Sequence, residues 1–128
     1  MDYYFTKTVD DPMDVAIAKV TQELKKQGFG ILTEIDMAAT LAQKLNVQIN
    51  NYRILGACNP HFAYEALQRE NKIGLMLPCN IVVQEREDSK TEISAVDPVA
   101  SMMAIPNDSL ANIAGQVREK LKSVIENC

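Results

Sequence analysis

Two short motifs contain the residues of this chain that could do chemistry, and each holds a cysteine followed by an asparagine. The first is Cys58 and Asn59, with His61 three positions after the cysteine, and the second is Cys79 and Asn80. Thiolates act as nucleophiles and metal ligands, and amide side chains hydrogen-bond small molecules. The sequence therefore predicts a small-ligand or metal-binding site at Cys58, Asn59, Cys79 and Asn80.

The two cysteines are expected to differ in reactivity. Asn59 is a favoured helix N-cap and Pro60 suits the first helical position, so Cys58 should end a strand just before a helix N-terminus. Unpaired amides and the helix dipole at that point favour a thiolate and lower its pKa. Cys79 instead leads into the apolar run 81–83, where burial would raise its pKa. Cys58 is therefore predicted as the primary group, with Cys79 supporting it if the two strands lie close.

Cys58, His61 and Cys79 are also the predicted metal ligands, with Asp97 or water in a fourth position. Sulfur and nitrogen ligands with an open position suit zinc or copper. A Cys-x-x-His without a second ligand pair also fits a surface histidine beside two buried structural cysteines. Three functions stay open: a small-ligand or metal-binding module, a thiol-dependent redox or nucleophilic enzyme, and a structural or regulatory subunit with no site.

Composition and motifs exclude several other classes. The chain has 13 basic and 17 acidic residues with a net charge of −4, which argues against a nucleic-acid partner. No apolar run reaches membrane-spanning length and the first residues lack a secretory signal, so we expect a cytoplasmic protein with no membrane partner. Three cysteines in such a chain are expected to be reduced thiols. No Cys-x-x-Cys, phosphate loop or catalytic triad is present.

The pattern of elements that must position these residues reads β-α-β-α-β-α-β-β-α within a single domain, residues 1–128. Residues 88–90 are read as the loop of a β-hairpin between the last two strands, and the apolar run 81–83 predicts a central strand. A hairpin disrupts strict βαβ alternation. We therefore expect an α+β fold of two layers, with one mixed or antiparallel sheet and helices packed on one face. A doubly wound parallel sheet is the alternative.

Three local predictions concern how these elements begin and pack. Asp11 is predicted to cap the first helix, with Pro12 at its first position. Gly56, close to Cys58, is read either as a point of tight packing or as room for a ligand. The second helix, capped by Asp36, is predicted to bury one apolar side, formed by Ala38, Leu41, Ala42 and Leu45.

The runs YRILGACNP at 52–60, IGLMLPCNIVV at 73–83, and VDP followed by MM resemble domain-of-unknown-function family 302 over nearly the whole chain. The resemblance implies a small bacterial or archaeal α+β domain of the TATA-binding-protein-like kind, often a dimer, and supplies no activity or catalytic residue. The positions that match the family pattern are Cys58, Asn59, Pro60, Pro78, Cys79, Asn80, Asp97 and Pro98; His61 lies outside it. A homodimer is also expected because the apolar runs 73–77 and 99–105 exceed what one small core absorbs.

Overall fold

Residues 2–128 are described by the computed structural model, and they form five strands and five helices in the order β-α-β-α-β-α-β-β-α-α. The strands are β1 (Tyr4–Val9), β2 (Gly30–Asp36), β3 (Tyr52–Cys58), β4 (Cys79–Glu85) and β5 (Thr91–Val96). The helices are α1 (Met13–Lys26), α2 (Met37–Leu45), α3 (Pro60–Arg69), α4 (Pro98–Ser101) and α5 (Ala111–Glu126). Short 3₁₀ turns occur at Ile73–Met76, Glu87–Ser89 and Asp108–Leu110.

The five strands form one sheet in the order β1-β5-β4-β3-β2, and every neighbouring pair is antiparallel. The α+β prediction is confirmed and the parallel alternative is wrong, because β4 and β5 form a hairpin and β2 and β3 also pair antiparallel. The strand that contains the run 81–83 lies at the centre of the sheet, as its continuous apolar sequence predicted.

One face of the sheet carries the hydrophobic core. Leu55 lies opposite Ile81, and Ala57 lies opposite Cys79, so alternate residues of the central strands share this face. Helices α1 and α5 contact the strands and each other. The buried residues of these two helices are Ala16, Val20 and Leu24 in α1, and Ile113, Ala114, Val117, Leu121, Val124 and Ile125 in α5.

Two predictions about helices are corrected. Helix α2 has no buried residue, and Leu45 is 66% exposed, because this helix lies in the β2–β3 connection and not between sheet and core. Its cap is as predicted, since Asp36 accepts a hydrogen bond from the Ala39 amide at 2.9 Å. Helix α1 begins one residue later than expected, with Pro12 at the N-cap position. The Asp11 carboxylate instead pairs with a lysine, Lys19, at 2.9 Å.

Gly56 is a point of tight packing, as one of its two interpretations proposed. A Cβ atom at this position would lie 2.7 Å from Cγ of Pro78 and would also collide with the Thr33 hydroxyl. The glycine therefore lets β2 and the residue that precedes β4 approach β3 closely.

The segment from α4 to the start of α5 is fixed at both ends by side chains. At its beginning, Asp97 accepts from the Val99 amide at 3.0 Å and pairs with Nε of Arg118 at 3.1 Å. Near its end, the side-chain Nδ2 of Asn107 donates to the Arg69 carbonyl oxygen at 2.8 Å. The segment is thereby held across α3 and α5.

Candidate functional site

A small cavity lies where β3 ends and β4 begins, under α3 and α5. Its volume is about 30 Å³, room for about two water molecules. The residues that line it are Phe29, Ala57, Cys58, Asn59, Phe62, Ala63, Ala66, Leu77, Pro78, Cys79, Met102, Ile113, Ala114 and Val117. Its wall is apolar except for three of the four residues predicted from the two Cys-Asn motifs.

Both predicted cysteines contribute to the wall of this cavity, and both are free cysteines. Cys58 is the last residue of β3 and is half-buried, while Cys79 is the first residue of the neighbouring strand and is 7% exposed. Burial raises the pKa of the Cys79 thiol from 9.0 to about 11, and the nearby charge of Cys58 contributes in the same direction. The expected proximity of the two strands is confirmed by their pairing, and the pKa of Cys79 is raised in the direction that was predicted.

Asn59 occupies the N-cap position of α3 as predicted, but its side chain does not cap the helix. Its Nδ2 instead donates to the Gln27 carbonyl oxygen at 3.2 Å. The residue is only 8% exposed, and within residues 2–128 its side-chain oxygen accepts no hydrogen bond. The backbone amides of His61 and Phe62 also lack a partner there, as helix N-termini do without a cap. One side-chain acceptor and two backbone donors are therefore left free beside Cys58.

His61 and Asn80, unlike the other three predicted site residues, do not line this cavity. His61 is exposed on the first turn of α3, about 100° around the helix from the cavity-lining Phe62. Asn80 is exposed opposite Gly56, because neighbouring residues of a strand point to opposite faces of the sheet. Each residue is close to its cysteine in sequence, but its side chain points away from the cavity that the cysteine lines.

The predicted set of metal ligands is not assembled. In the part of the chain that the structure describes, residues 2–128, no group of three or more His, Cys, Asp or Glu side chains is placed to hold a metal ion. His61 faces outward, and both carboxylate oxygens of Asp97 are engaged by Val99 and Arg118. Cys58 and Cys79 alone supply two ligands, whereas zinc sites use three or four protein ligands.

The apolar part of the wall was missed by the sequence reasoning. Four alanines at positions 57, 63, 66 and 114 leave the space open, and Phe29, Phe62 and Met102 enclose it. At the level of sequence these residues have the spacing of ordinary core positions, so no signal distinguished them. Met102 belongs to the anchored segment between α4 and α5 and places that segment over the cavity.

The fold and cavity can be compared with known proteins. The model of a family described as Domain of unknown function DUF302 matches residues 5–128, and the chain belongs to that family. A similar solved structure is the crystal structure of the uncharacterized conserved protein DUF302 from Bacillus stearothermophilus. That protein is 26% identical, with a TM-score of 0.92, and the alignment covers 100% of this chain and 99% of that chain. No curated protein matches.

These comparisons confirm the predicted resemblance and the α+β fold, and they name no activity. The TATA-binding-protein-like arrangement implied by the resemblance stays a prediction. Within residues 2–128, no helix combines the length and the apolar character needed to cross a bilayer.

Proposed function

We propose that the cavity between Cys58 and Cys79 is the binding site of a small ligand. The observation that carries this proposal is that Asn59 and two cysteines contribute to the wall of an otherwise apolar pocket, with the Asn59 side-chain oxygen free of protein partners and open to solvent. A bound molecule with a hydrogen-bond donor can pair with that oxygen in place of solvent.

The lining defines the chemistry of the ligand. A polar head group would meet Asn59 and the free amides at the start of α3, and an apolar end would contact Phe29 and Phe62. The unpaired amides and the helix dipole favour an acceptor atom on the head group, and the Asn59 oxygen, itself an acceptor, favours a donor such as a hydroxyl beside it. The cavity admits only a few non-hydrogen atoms unless Met102 moves aside, so we expect ligands with no more than two carbons.

NMR titration with formate, acetate, methanol and methanethiol tests the site. We expect saturable shifts at the amides of Phe29 and Phe62 in the natural chain. Ala63→Leu should abolish them, since it extends a side chain into the cavity from α3. Ala18→Leu, on the exposed side of α1, is the matched control and should leave the shifts unchanged. Equal shifts in both variants, or no saturable shift in the natural chain, would contradict the proposal.

The metal version of this proposal needs ligands from outside the chain, because Cys58 and Cys79 supply only two. Elemental analysis after incubation with zinc or copper, then gel filtration, tests it. Retention of about one metal equivalent that disappears in Cys58→Ser supports a metal site. Retention below about a tenth of an equivalent removes it.

Thiol chemistry is the second candidate, favoured by one observation: the more exposed of two neighbouring thiols ends a strand at an uncapped helix N-terminus. Competitive alkylation, followed by peptide mass spectrometry across pH, tests it. Cys58 should react faster than Cys79 at pH 7.5, because a thiol with a pKa of about 11 supplies almost no thiolate there. Half-buried Cys128, whose pKa burial also raises, is an internal reference.

Equal alkylation rates at Cys58 and Cys79 would contradict the thiol candidate. Failure of both this test and the ligand titration would leave the third function, a structural or regulatory subunit without a site. In each case we place the protein in the cytoplasm, where its three thiols would stay reduced.

A homodimer is proposed on the basis of surface area. The chain exposes 7752 Å² at a mass of 14.2 kDa, whereas a folded monomer of that mass exposes about 6,800 Å². The excess of about 1,000 Å² is comparable with the roughly 800 Å² that each partner buries in a standard interface. Exposed apolar residues concentrate on the edge strand β2 and its connection to β3, namely Leu32, Ile35, Leu45, Val47 and Ile49.

Light scattering at micromolar concentration tests the dimer. Leu32→Lys, on the edge strand, should shift the species from dimer to monomer. Tyr64→Lys, at a 68% exposed tyrosine of α3, should not. A 14.2 kDa species in the natural chain would rule the dimer out.

A further inference from the structure

We propose that the ligand site continues past Met102 into a neighbouring groove, and that the extended site binds linear primary alcohols. This inference rests on the ligand function proposed for the cavity and extends it. The limit of two carbons applies only while the Met102 side chain separates the cavity from the groove.

The groove lies between α4 and the start of α5 and has a volume of about 240 Å³. Met102 and Ala114 line both the groove and the cavity, so these two side chains form the wall that the two spaces share. Ala114 contributes only a methyl group to that wall. The side chain that separates the cavity from the groove is therefore that of Met102.

The Met102 side chain is able to swing aside without breaking a hydrogen bond. A methionine side chain is unbranched, uncharged and flexible about three bonds, and this one is half-buried, so it already borders solvent. The backbone of Met102 is held separately, because its amide donates to the Pro98 carbonyl oxygen at 3.0 Å and its carbonyl oxygen accepts from the Ile105 amide at 3.0 Å. Rotation of the side chain alone therefore joins the two spaces.

The groove has the lining and the size for an alkyl chain. Beyond the shared wall, its apolar residues are Val99, Met103, Ile105, Leu110 and Ala111. On the scale by which the cavity holds about two water molecules, the groove holds on the order of ten non-hydrogen atoms, so we expect chains of about four to eight carbons. Each methylene group that leaves water for an apolar wall adds to the affinity.

The polar groups at the inner end select a hydroxyl as the head group. A hydroxyl donates one hydrogen bond and accepts others, so a single oxygen atom can donate to the Asn59 side-chain oxygen and accept from an unpaired amide at the start of α3. A carboxylate only accepts, and its oxygen would face the Asn59 oxygen without a proton between them. In the reverse orientation, a carboxylate would meet the exposed carboxylate of Asp108 in the groove wall.

NMR titration with methanol, 1-butanol, 1-hexanol and hexanoate tests the extended site. We expect 1-hexanol to shift the amides of Phe62 in the cavity and Ala111 in the groove with one shared Kd. Affinity should rise about two- to fourfold for each methylene added between methanol and 1-hexanol. Hexanoate should bind at least about fivefold more weakly than 1-hexanol, because it cannot donate to Asn59.

Two variants separate the groove from the cavity. Met102→Ala removes the side chain that the alcohol must displace, so it should tighten binding of 1-hexanol at least about threefold. Ala111→Leu narrows the groove from α5 and should weaken 1-hexanol at least about fivefold while the affinity for methanol stays unchanged. Ala18→Leu, on the exposed side of α1, is the matched control and should change neither affinity.

Three results would overturn the inference: equal affinities for methanol and 1-hexanol, shifts by 1-hexanol at Ala111 without shifts at Phe62, or equal effects of Ala111→Leu and Ala18→Leu. Amide spectra check that each variant is folded, and the two leucine variants decide the outcome if Met102→Ala does not fold.

The methanol titration also separates this inference from the function on which it rests. If methanol gives saturable shifts at Phe29 and Phe62 while 1-hexanol gives none, the extended site fails and the ligand-binding function of the cavity stands. If neither alcohol shifts these amides, both proposals fail.

Discussion

The chain uses the same sequence device twice, at the ends of β3 and β5, and the two copies behave differently. Each strand is followed by an Asx residue and a proline that opens a helix. At α4, Asp97 is 3% exposed, caps the helix through Val99 and pairs with Arg118. At α3, Asn59 is almost as deeply buried, but its side chain turns to Gln27 and leaves the helix start uncapped.

The start of α4 at Asp97 is therefore a structural contact, called the closed joint below. The start of α3 at Asn59 is a candidate site, called the open joint. The charged Asp97 uses both of its oxygens, one on the first amide of its helix and one on Arg118. The neutral Asn59 uses one of its two polar atoms, and its helix begins beside a thiol and a cavity. A helix start with all its groups paired contributes stability, whereas one with free groups is able to bind something.

Removing the closed joint should have the largest effect. Asp97→Ala deletes a helix cap, which contributes about 1 kcal/mol, and a charged hydrogen bond to Arg118, which contributes about 1.5–3 kcal/mol. We expect the free energy of unfolding in urea to fall by about 3 kcal/mol. Glu119→Ala removes the exposed partner of the same arginine and should cost no more than about 0.5 kcal/mol. Equal losses would mean that the Asp97 joint is not structural.

The thiol beside the open joint should make stability depend on alkaline pH. The pKa of Cys79 is raised from 9.0 to about 11 in the fold, so the protonated thiol stabilises the folded state below pH 9. That contribution is lost as the pH rises through 11. By pH 11 the loss should reach about 2 kcal/mol relative to Cys79→Ala. Urea titrations at pH 8 and pH 11 measure it, and parallel changes in the two proteins would refute it.

A side chain at Gly56 should disturb the strand that leads to the open joint. In Gly56→Ala the new Cβ would meet Pro78 at 2.7 Å and the Thr33 hydroxyl. Thr33 is exposed and able to rotate, but the proline ring is not, so we expect a loss of about 1–2 kcal/mol. Gly115→Ala, at a helical glycine with nothing within 4 Å, should instead gain about 0.5–1 kcal/mol. Thermal unfolding of both variants distinguishes these outcomes.

Converting the open joint into a closed one should change stability least and reactivity most. Asn59→Ser supplies a cap worth about 1 kcal/mol and loses a hydrogen bond to Gln27 of similar value, so stability should change by less than about 0.5 kcal/mol. The serine hydroxyl would occupy an amide beside Cys58, and alkylation of Cys58 at pH 7 should slow several-fold. An unchanged rate would show that those amides do not act on the thiol.

The sequence predicted the elements around the site because their signals are local. Strand β3 has the predicted bounds, the central position of β4 followed from its apolar run, and Asp36 caps α2 as expected. Each of these signals depends on residues within a few positions of each other, and no distant partner overrides them.

The rest depended on contacts between distant segments. The stripe of α2 showed that this helix has an apolar side, but not that the fold would leave that side only partly covered. The sequence around Asn59 is typical of a helix N-cap. Its side chain instead hydrogen-bonds Gln27, which lies 32 positions away in the chain. The same limitation hid the cavity, since Phe29 and Met102 meet Cys58 only after the sheet and α5 are packed.

The placement of β1 has a consequence for how the protein is made. Strands β2, β3 and β4 each pair with the next strand along the chain, but β1 pairs with β5, with Tyr4 opposite Val96. At about 5–20 residues per second of synthesis, the first strand to leave the ribosome waits about 5–20 s for its partner. During that time its edge is open to other chains. A ribosome that stalls before residue 91 would therefore release a chain with a permanently unpaired strand.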